Sequence, residues 1–309
     1  QRLPIIGLAL LGVLLSRHLT AYQLGSIEGI WDPFFTGGPG PKNGSEEITT
    51  SYVSEAFPIP DAGLGAVTYM LEIVAGIAGT RARWRTMPWL VMGFGIMIVP
   101  LGVVSITFII IQPILLGTYC TVCLIAAAAM LLQIPYSLEE LIATTQFLIR
   151  RKKKGRPFLR VFFVGDTDDG EAAPKRREDE FRRPAGAILK DIFLEGVNYP
   201  PTLIASALIG VWLMFTPLLI GVEDMLYDAN HLIGALVVTV SIMACAESGR
   251  AVRWLNVIGG AALIVCALVW GDGWLQIGAT ALSGAALIAL APPKGRIAAR
   301  YGDWDRFIV

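Results

Sequence analysis

The sequence has few charged residues and few of the residues that bind metals. Only 16% of its 309 residues are Asp, Glu, Lys or Arg, whereas 54% are hydrophobic. A water-soluble domain carries more charge than this, so the composition argues against a soluble enzyme. The chain has two histidines and four cysteines. Because structural zinc needs four Cys, His or carboxylate ligands close together, we expect no metal site.

Long apolar runs fill most of the sequence instead. A membrane-spanning helix needs about 20 apolar residues, and eight segments approach that length. They cover residues 3–24, 61–79, 88–111, 114–134, 200–220, 229–248, 254–270 and 274–291. The sequence therefore predicts an all-α integral membrane protein with eight transmembrane helices.

Basic residues cluster after every second predicted span. The clusters lie at residues 81–85, 150–156, 250–253 and 294–300. Since Lys and Arg are enriched in cytoplasmic loops, this pattern predicts that both termini are cytoplasmic.

A polar segment divides the chain into two membrane units. Residues 149–197 carry glycine, proline and charges of both signs, and we expect them to form a cytoplasmic linker near anionic lipid head groups. Basic residues that bind nucleic acid are interleaved with aromatic ones or belong to a known fold, and neither is found here. We therefore expect no nucleic-acid partner. The predicted units are residues 1–148 and 198–309.

The second unit has a weak internal repeat. Ile209-Gly210 returns as Ile258-Gly259 after 49 residues, and Gly234 returns as Gly284 after 50 residues. Repetition at a fixed spacing indicates two similar helical hairpins in tandem. Glycines at matched points allow helices to pack closely in a membrane.

The pattern that bears most directly on chemistry is Cys120-Thr-Val-Cys123, at the start of the predicted fourth span. Residues three apart share one helix face, so the two sulfurs can meet. A cysteine near a helix N-terminus is favoured as the thiolate. With cytoplasmic termini the pair lies on the extracytoplasmic side, where disulfides persist. The pattern predicts a redox-active pair, with a static disulfide as the alternative. Cys245 and Cys266 are expected to be apolar core residues.

Three motifs give residues 1–148 a resemblance to the vitamin K epoxide reductase family of membrane thiol oxidoreductases. They are residues 14–20 at the end of span one, 51–69 leading into span two, and 119–124 opening span four. The resemblance implies a four-helix bundle around a quinone, which would be ubiquinone or menaquinone. It also implies that the CxxC pair exchanges electrons with that quinone and, through two loop cysteines, with a thioredoxin-like extracytoplasmic protein.

The same resemblance implies roles for individual residues. Cys120 would exchange with the protein partner, and Cys123 would face the quinone. His18, Asp61 and Tyr119 would lie at the quinone site, where His18 could donate a hydrogen bond or a proton. The alternatives are that His18 meets the lipid head groups and that Asp61 caps the second membrane helix.

The sequence departs from the family in its first extracytoplasmic loop. Residues 25–60 contain no cysteine, so the internal relay is missing and the partner would have to meet the CxxC pair directly. Asp61 also stands where the family often has Asn, and Ala127 stands where vertebrate members have Tyr.

Residues 198–309 resemble the SPW-repeat family of small membrane modules. The resemblance rests on residues 210–217 and 301–304. It implies no chemistry, and a chain joining these two families would belong to a bacterial inner membrane. The whole sequence predicts a membrane thiol–quinone oxidoreductase. The alternative is a non-enzymatic membrane scaffold with a structural CxxC disulfide and a second unit used for assembly.

Overall fold

The computed structural model describes residues 2–38, 40–79, 82–166, 184, 186, 192–194, 196–293 and 295–297. Over these ranges the regular elements are helices, and two isolated β-bridges occur outside them. The helices of the first half are α1 (Arg2–Gln23), α2 (Gly44–Thr49), α3 (Tyr52–Glu55), α4 (Asp61–Ile77), α5 (Arg83–Thr86), α6 (Pro88–Leu116), α7 (Thr121–Lys153) and α8 (Phe158–Val164). Those of the second half are α9 (Pro201–Met214), α10 (Thr216–Ile220), α11 (Asp224–Met243), a 3₁₀ turn (Arg250–Trp254), α12 (Leu255–Trp270) and α13 (Trp274–Leu290).

Five helical segments are long and apolar enough to cross a membrane. They are α1, α6, α7, α11 and the segment Arg250–Trp270. The prediction of an all-α, multi-pass membrane protein is confirmed. The other three predicted spans coincide with the shorter helices α4, α9 and α13, so the number eight stays a prediction.

The boundary between the third and fourth predicted spans lies later than the sequence analysis placed it. Residues 114–116 complete α6, and the helix ends at Gly117, whose φ of +71° is the left-handed conformation that glycine adopts readily. The next helix begins at Thr121 and continues through Pro135 to Lys153. The CxxC motif is therefore the first turn of α7 and not part of a continuous apolar run.

Helices α1, α4, α6 and α7 form a four-helix arrangement that we call the N-terminal bundle. Its core contains Ile5 and Ala9 of α1, Tyr69 of α4 and Met130 of α7. The ring of Tyr69 lies against Gly12, where an added Cβ atom would come within 2.6 Å of the ring. A glycine at this point of α1 thus lets α4 approach closely enough to close the bundle.

The second half, residues 201–290, forms two similar hairpins that we call the C-terminal unit. The two hairpins repeat each other as predicted, but the spacing between matched positions is 50 residues throughout. Gly210 therefore corresponds to Gly260 and not to Gly259. An added Cβ at Gly210 would come within 2.7 Å of the Gly234 carbonyl oxygen, and one at Gly260 within 2.5 Å of the Gly284 carbonyl oxygen. The shared core obeys the same spacing, with members Leu213, Val237, Leu263 and Leu287.

These glycine contacts give a prediction about stability. Gly210→Ala should destabilise the protein by about 1–3 kcal/mol, because the new methyl group would overlap backbone that cannot move aside. Gly278→Ala is the matched control, since a Cβ atom at Gly278 meets nothing within 4 Å. Thermal unfolding of the detergent-purified variants should show a lower Tm for Gly210→Ala only. Equal Tm values for both variants would contradict the close packing described here.

Candidate functional site

The two cysteines of the CxxC motif form a disulfide across the first turn of α7. Their Cα atoms are 5.2 Å apart, within the range that a disulfide requires. Cys120 is the N-cap residue of the helix, and its sulfur accepts a hydrogen bond of 3.0 Å from the Cys123 N–H. The sequence prediction that the two sulfurs can meet is confirmed.

The two sulfurs face different surroundings. Cys120 has no exposed surface and packs with Leu19, Ile30 and Ile48. Cys123 is partly buried and lies on the wall of a cavity. In this oxidised form, only Cys123 is open to a small molecule inside the bundle.

The cavity lies between α1, α4, α6 and α7 and has a volume of about 170 Å³. Its walls are mainly apolar, and on the α6 side they include Leu101, Val104, Phe108 and Ile109. On the α7 side the wall consists of Cys123 and the small residues Ala126 and Ala127. Small side chains on α7 leave the space in front of Cys123 open.

Asp61 brings a carboxylate to the same cavity. Its Oδ1 accepts hydrogen bonds from Gln23 Nε2 at 2.5 Å, Ser54 Oγ at 2.7 Å and the Ala62 N–H at 2.9 Å. The sequence alternative that Asp61 is the N-cap of α4 needs a correction of one residue. Pro60 occupies the N-cap and Asp61 is the first helical residue, because the ψ of Pro60, 117°, is not yet helical.

Gln112 is a site residue that the sequence analysis missed. It lies in α6, is 2% exposed, and lines the cavity. Its Oε1 accepts a hydrogen bond of 3.1 Å from the backbone N–H of Cys120. The available signal was a lone amide in an apolar membrane helix, since buried polar groups in such a helix are costly and require a partner.

The loop between α1 and α4 covers Cys120, and Asp32 anchors it there. Asp32 Oδ2 accepts hydrogen bonds from the Ser45 N–H at 3.0 Å, Ser45 Oγ at 2.6 Å and the Thr121 N–H at 3.2 Å. Its Oδ1 accepts from the Thr121 hydroxyl and from the Phe35 N–H. One carboxylate therefore joins the loop, the helix α2 and the first residue of α7.

The charge of Asp32 is favoured by these contacts. Burial raises the pKa of the carboxyl, but the hydrogen bonds from Ser45, Thr121 and Phe35 outweigh burial and hold its pKa below the ordinary value. A carboxyl with a lowered pKa in the folded state stabilises that state at pH values above its unfolded pKa. This contribution is lost as the pH falls through the lowered folded pKa.

The structure places two other predicted residues outside the cavity. His18 is exposed on α1, and the residues of α1 that line the cavity are Ser16 and Leu19. Tyr119 is buried beside Cys120, but its hydroxyl donates a hydrogen bond of 2.9 Å to the Met214 carbonyl oxygen of α9. Tyr119 thus contacts the C-terminal unit and not the space in front of Cys123.

The other two cysteines take no part in this site. Cys245 and Cys266 are both free thiols, as expected from the sequence. Within the described ranges, no three His, Cys, Asp or Glu side chains lie close enough to hold a metal ion.

Fold and site define a multi-pass helical membrane protein with a disulfide-forming CxxC pair beside an apolar cavity. Residues 3–138 match the vitamin K epoxide reductase family, so the N-terminal bundle is vitamin K epoxide reductase-like. The match does not extend to the C-terminal unit, and the resemblance of that unit to the SPW-repeat family stays a prediction. The chain gave no match among curated proteins or among solved structures.

The Asp32 contacts lead to a prediction about access to Cys120. Asp32→Ala should make the disulfide at least about tenfold faster to reduce with a water-soluble phosphine, because several hydrogen bonds to a charged group then no longer hold the loop. Glu28→Ala is the control, since Glu28 is an exposed carboxylate in the same loop. Thiol labelling after timed reduction measures the rate. Equal rates for the two variants would show that Asp32 does not anchor the cover.

Proposed function

We propose that this protein is a membrane thiol–quinone oxidoreductase whose centre is Cys120 and Cys123. The observation that supports this most directly is the position of Cys123, which joins a disulfide to the wall of an apolar cavity inside the bundle. The match of residues 3–138 to the vitamin K epoxide reductase family adds to it, since members of that family use a quinone as the electron carrier.

The residues around the cavity suit a quinone. Ligand pockets for such molecules are mostly apolar with a few polar groups that fix orientation. Here the apolar wall of α6 faces small residues of α7, and the polar groups include Asp61 and Gln112. These two residues would hold a quinone, in place of the predicted pair His18 and Tyr119, which lie elsewhere. The quinone would be ubiquinone or menaquinone.

The reaction assigns separate tasks to the two cysteines. In the dithiol form, Cys123 meets the cavity and Cys120 completes the sulfur–sulfur bond. Formation of this disulfide releases two electrons and two protons. A bound quinone would accept them and become the quinol. Gln112 holds the backbone of Cys120 beside Cys123 during this step, through its hydrogen bond to the Cys120 N–H.

The second substrate would be a thioredoxin-like dithiol protein on the extracytoplasmic side. Residues 25–60 have no cysteine to relay electrons, so this protein must reach Cys120 itself. Cys120 is covered by Ile30 and Ile48, and this part of the loop therefore has to move before a thiol can attack. A thiolate of that protein would attack the Cys120 sulfur, break the Cys120–Cys123 bond and form a mixed disulfide with Cys120, leaving Cys123 as the thiol that faces the cavity. The partner's second thiol would then displace Cys120, so that the partner leaves with a disulfide and the CxxC pair is the dithiol.

We also propose a membrane arrangement for the whole chain. It has eight spans in a bacterial inner membrane, with both termini cytoplasmic and the CxxC pair extracytoplasmic. Residues 1–148 form the vitamin K epoxide reductase-like unit, residues 149–197 the cytoplasmic linker, and residues 198–309 an SPW-repeat-like unit. The alternating basic clusters of the sequence support this orientation.

A second function is favoured by the burial of Cys120. A disulfide with one sulfur fully covered also suits a membrane scaffold, in which the bond only braces the start of α7. Redox titration separates the two functions. A working pair titrates in the range of redox proteins, whereas a structural disulfide stays oxidised until the potential falls below about −300 mV.

The proposed reaction predicts the effect of removing the pair. Cys120→Ser together with Cys123→Ser should reduce quinone-dependent oxidation of a dithiol protein to the background rate, because no disulfide can form. The matched control is Cys245→Ser with Cys266→Ser, which removes the two free cysteines. Quinol formation in detergent or vesicles is the readout. Activity that survives in the Cys120/Cys123 double variant would exclude the proposed function.

Gln112 gives a second prediction for the same reaction. Gln112→Leu should lower kcat/KM for the quinone by about tenfold, because the Cys120 N–H and the cavity both lose a hydrogen-bonding partner. Thr107→Val is the control in the same helix, since Thr107 is exposed and its hydroxyl donates to the Val103 carbonyl oxygen of that helix. Matching kinetics for both variants would remove Gln112 from the site.

A further inference from the structure

The C-terminal unit contacts the N-terminal bundle directly behind the redox centre. The Tyr119 hydroxyl donates a 2.9 Å hydrogen bond to the Met214 carbonyl oxygen and lies 3.3 Å from the Tyr227 hydroxyl. The Tyr119 ring also packs against Phe215 and His231, with centroids 5.3 and 5.7 Å away. The residue that precedes Cys120 therefore contacts the second half of the chain through both its hydroxyl and its ring, and Phe35 of the first-half loop packs on the same ring at 4.9 Å.

A second contact between the halves replaces a hydrogen-bond donor that α6 lacks. Pro113 has no N–H, so the carbonyl oxygen of Ile109 loses its helical donor four residues on. His231 Nε2 lies 3.1 Å from that oxygen, and its Nδ1 lies 3.3 Å from the Met214 carbonyl oxygen. Because Met214 already accepts from Tyr119, the Nε2–H tautomer is the one that satisfies both carbonyls.

Both contacts hold the part of the chain that leads into the CxxC motif. Ile109 lines the cavity and lies three residues before Gln112, whose side chain holds the Cys120 N–H. Tyr119 is the residue directly before Cys120. The C-terminal part of α6 and the residue before Cys120 are thus both bonded to the C-terminal unit, and the CxxC disulfide follows them in the chain.

The internal repeat distinguishes the residues that pack the C-terminal unit itself from those that face the N-terminal bundle. Positions that hold its own helices together recur 50 residues later, as Gly210 with Gly260 and Asn230 with Thr280. Phe215, Tyr227 and His231, the residues that face Tyr119, correspond to Val265, Ile277 and Ala281. The aromatic and polar side chains occur only in the hairpin that contacts the N-terminal bundle.

We propose that the first hairpin of the C-terminal unit positions the redox centre, with His231 and Tyr227 as positioning residues that fix Ile109 and Tyr119. This role rests on the proposed thiol–quinone function and gives the C-terminal unit its part in it. Fixing the chain that leads into Cys120 holds its sulfur close to that of Cys123, which raises the effective concentration of one thiol for the other. The disulfide is then favoured over the dithiol.

The test is the redox equilibrium of the pair in mixtures of reduced and oxidised dithiothreitol. In His231→Leu, the ratio of reduced to oxidised dithiothreitol at which half of the pair is reduced should be about tenfold lower than in the wild type. This corresponds to a reduction potential that is less negative by about 30 mV. Tyr227→Phe should shift the ratio in the same direction by a smaller factor. His231→Gln, whose amide can still donate a hydrogen bond, should restore a ratio within about threefold of the wild type.

The control variant is Thr280→Val, which removes the hydrogen bond of 3.0 Å from Asn230 Nδ2 inside the C-terminal unit. It should leave the redox equilibrium unchanged. A wild-type ratio in both His231→Leu and Tyr227→Phe, or an equal shift in Thr280→Val, would overturn the positioning role. The titration uses no quinone, so a failure of quinone turnover alone would count against the proposed function and not against this role.

Discussion

The structure depends on how the chain turns from one membrane helix to the next between Gly117 and Thr121. A helix end in an apolar environment leaves backbone N–H and C=O groups that must find partners within the protein. At this turn the Cys120 sulfur accepts from Cys123, Gln112 accepts from Cys120, and Asp32 accepts from Thr121. The sulfur that takes part in the disulfide is therefore also a capping group. The disulfide and the helix cap therefore share one atom.

The surrounding elements follow from this turn. The loop between α1 and α4 lies over Cys120 because Asp32 reaches the first N–H of α7. Behind the turn, the C-terminal unit supplies an acceptor for Tyr119 and a donor for Ile109. Each half of the chain thus supplies what the other lacks. Tyr119 donates to an orphaned carbonyl of α9, and His231 reaches the carbonyl that Pro113 leaves orphaned in α6. These hydrogen bonds lie beside an apolar contact between the two halves, in which Ile109 packs with Met214, Ala235 and Val238.

The sequence allowed good predictions wherever the signal was local. Apolar runs indicated the membrane helices, the spacing of Cys120 and Cys123 indicated that their sulfurs can meet, and the 50-residue repeat indicated the paired hairpins. Predictions were weaker where the partner is distant in the chain. The contact of His231 with Ile109 joins residues 122 positions apart, and that of Tyr119 with Met214 joins residues 95 apart. A motif shows that Tyr119 neighbours a cysteine, but only tertiary packing decides whether its hydroxyl faces the cavity or the other half.

The loop that lacks the relay cysteines covers Cys120 instead. In place of a thiol relay, the loop has Ile30, Ile48 and the Asp32 network, which cover Cys120 and exclude water from it. The cavity reaches only Cys123, on the other side of the disulfide. Under the proposed function, a soluble thiol would approach Cys120 and a quinone would approach Cys123. Ile48 packs with Cys120 and also lines the cavity, so movement of this part of the loop would change access to both sulfurs. A pair of cysteines without a relay could then serve two substrates in turn, with the loop controlling access to each sulfur.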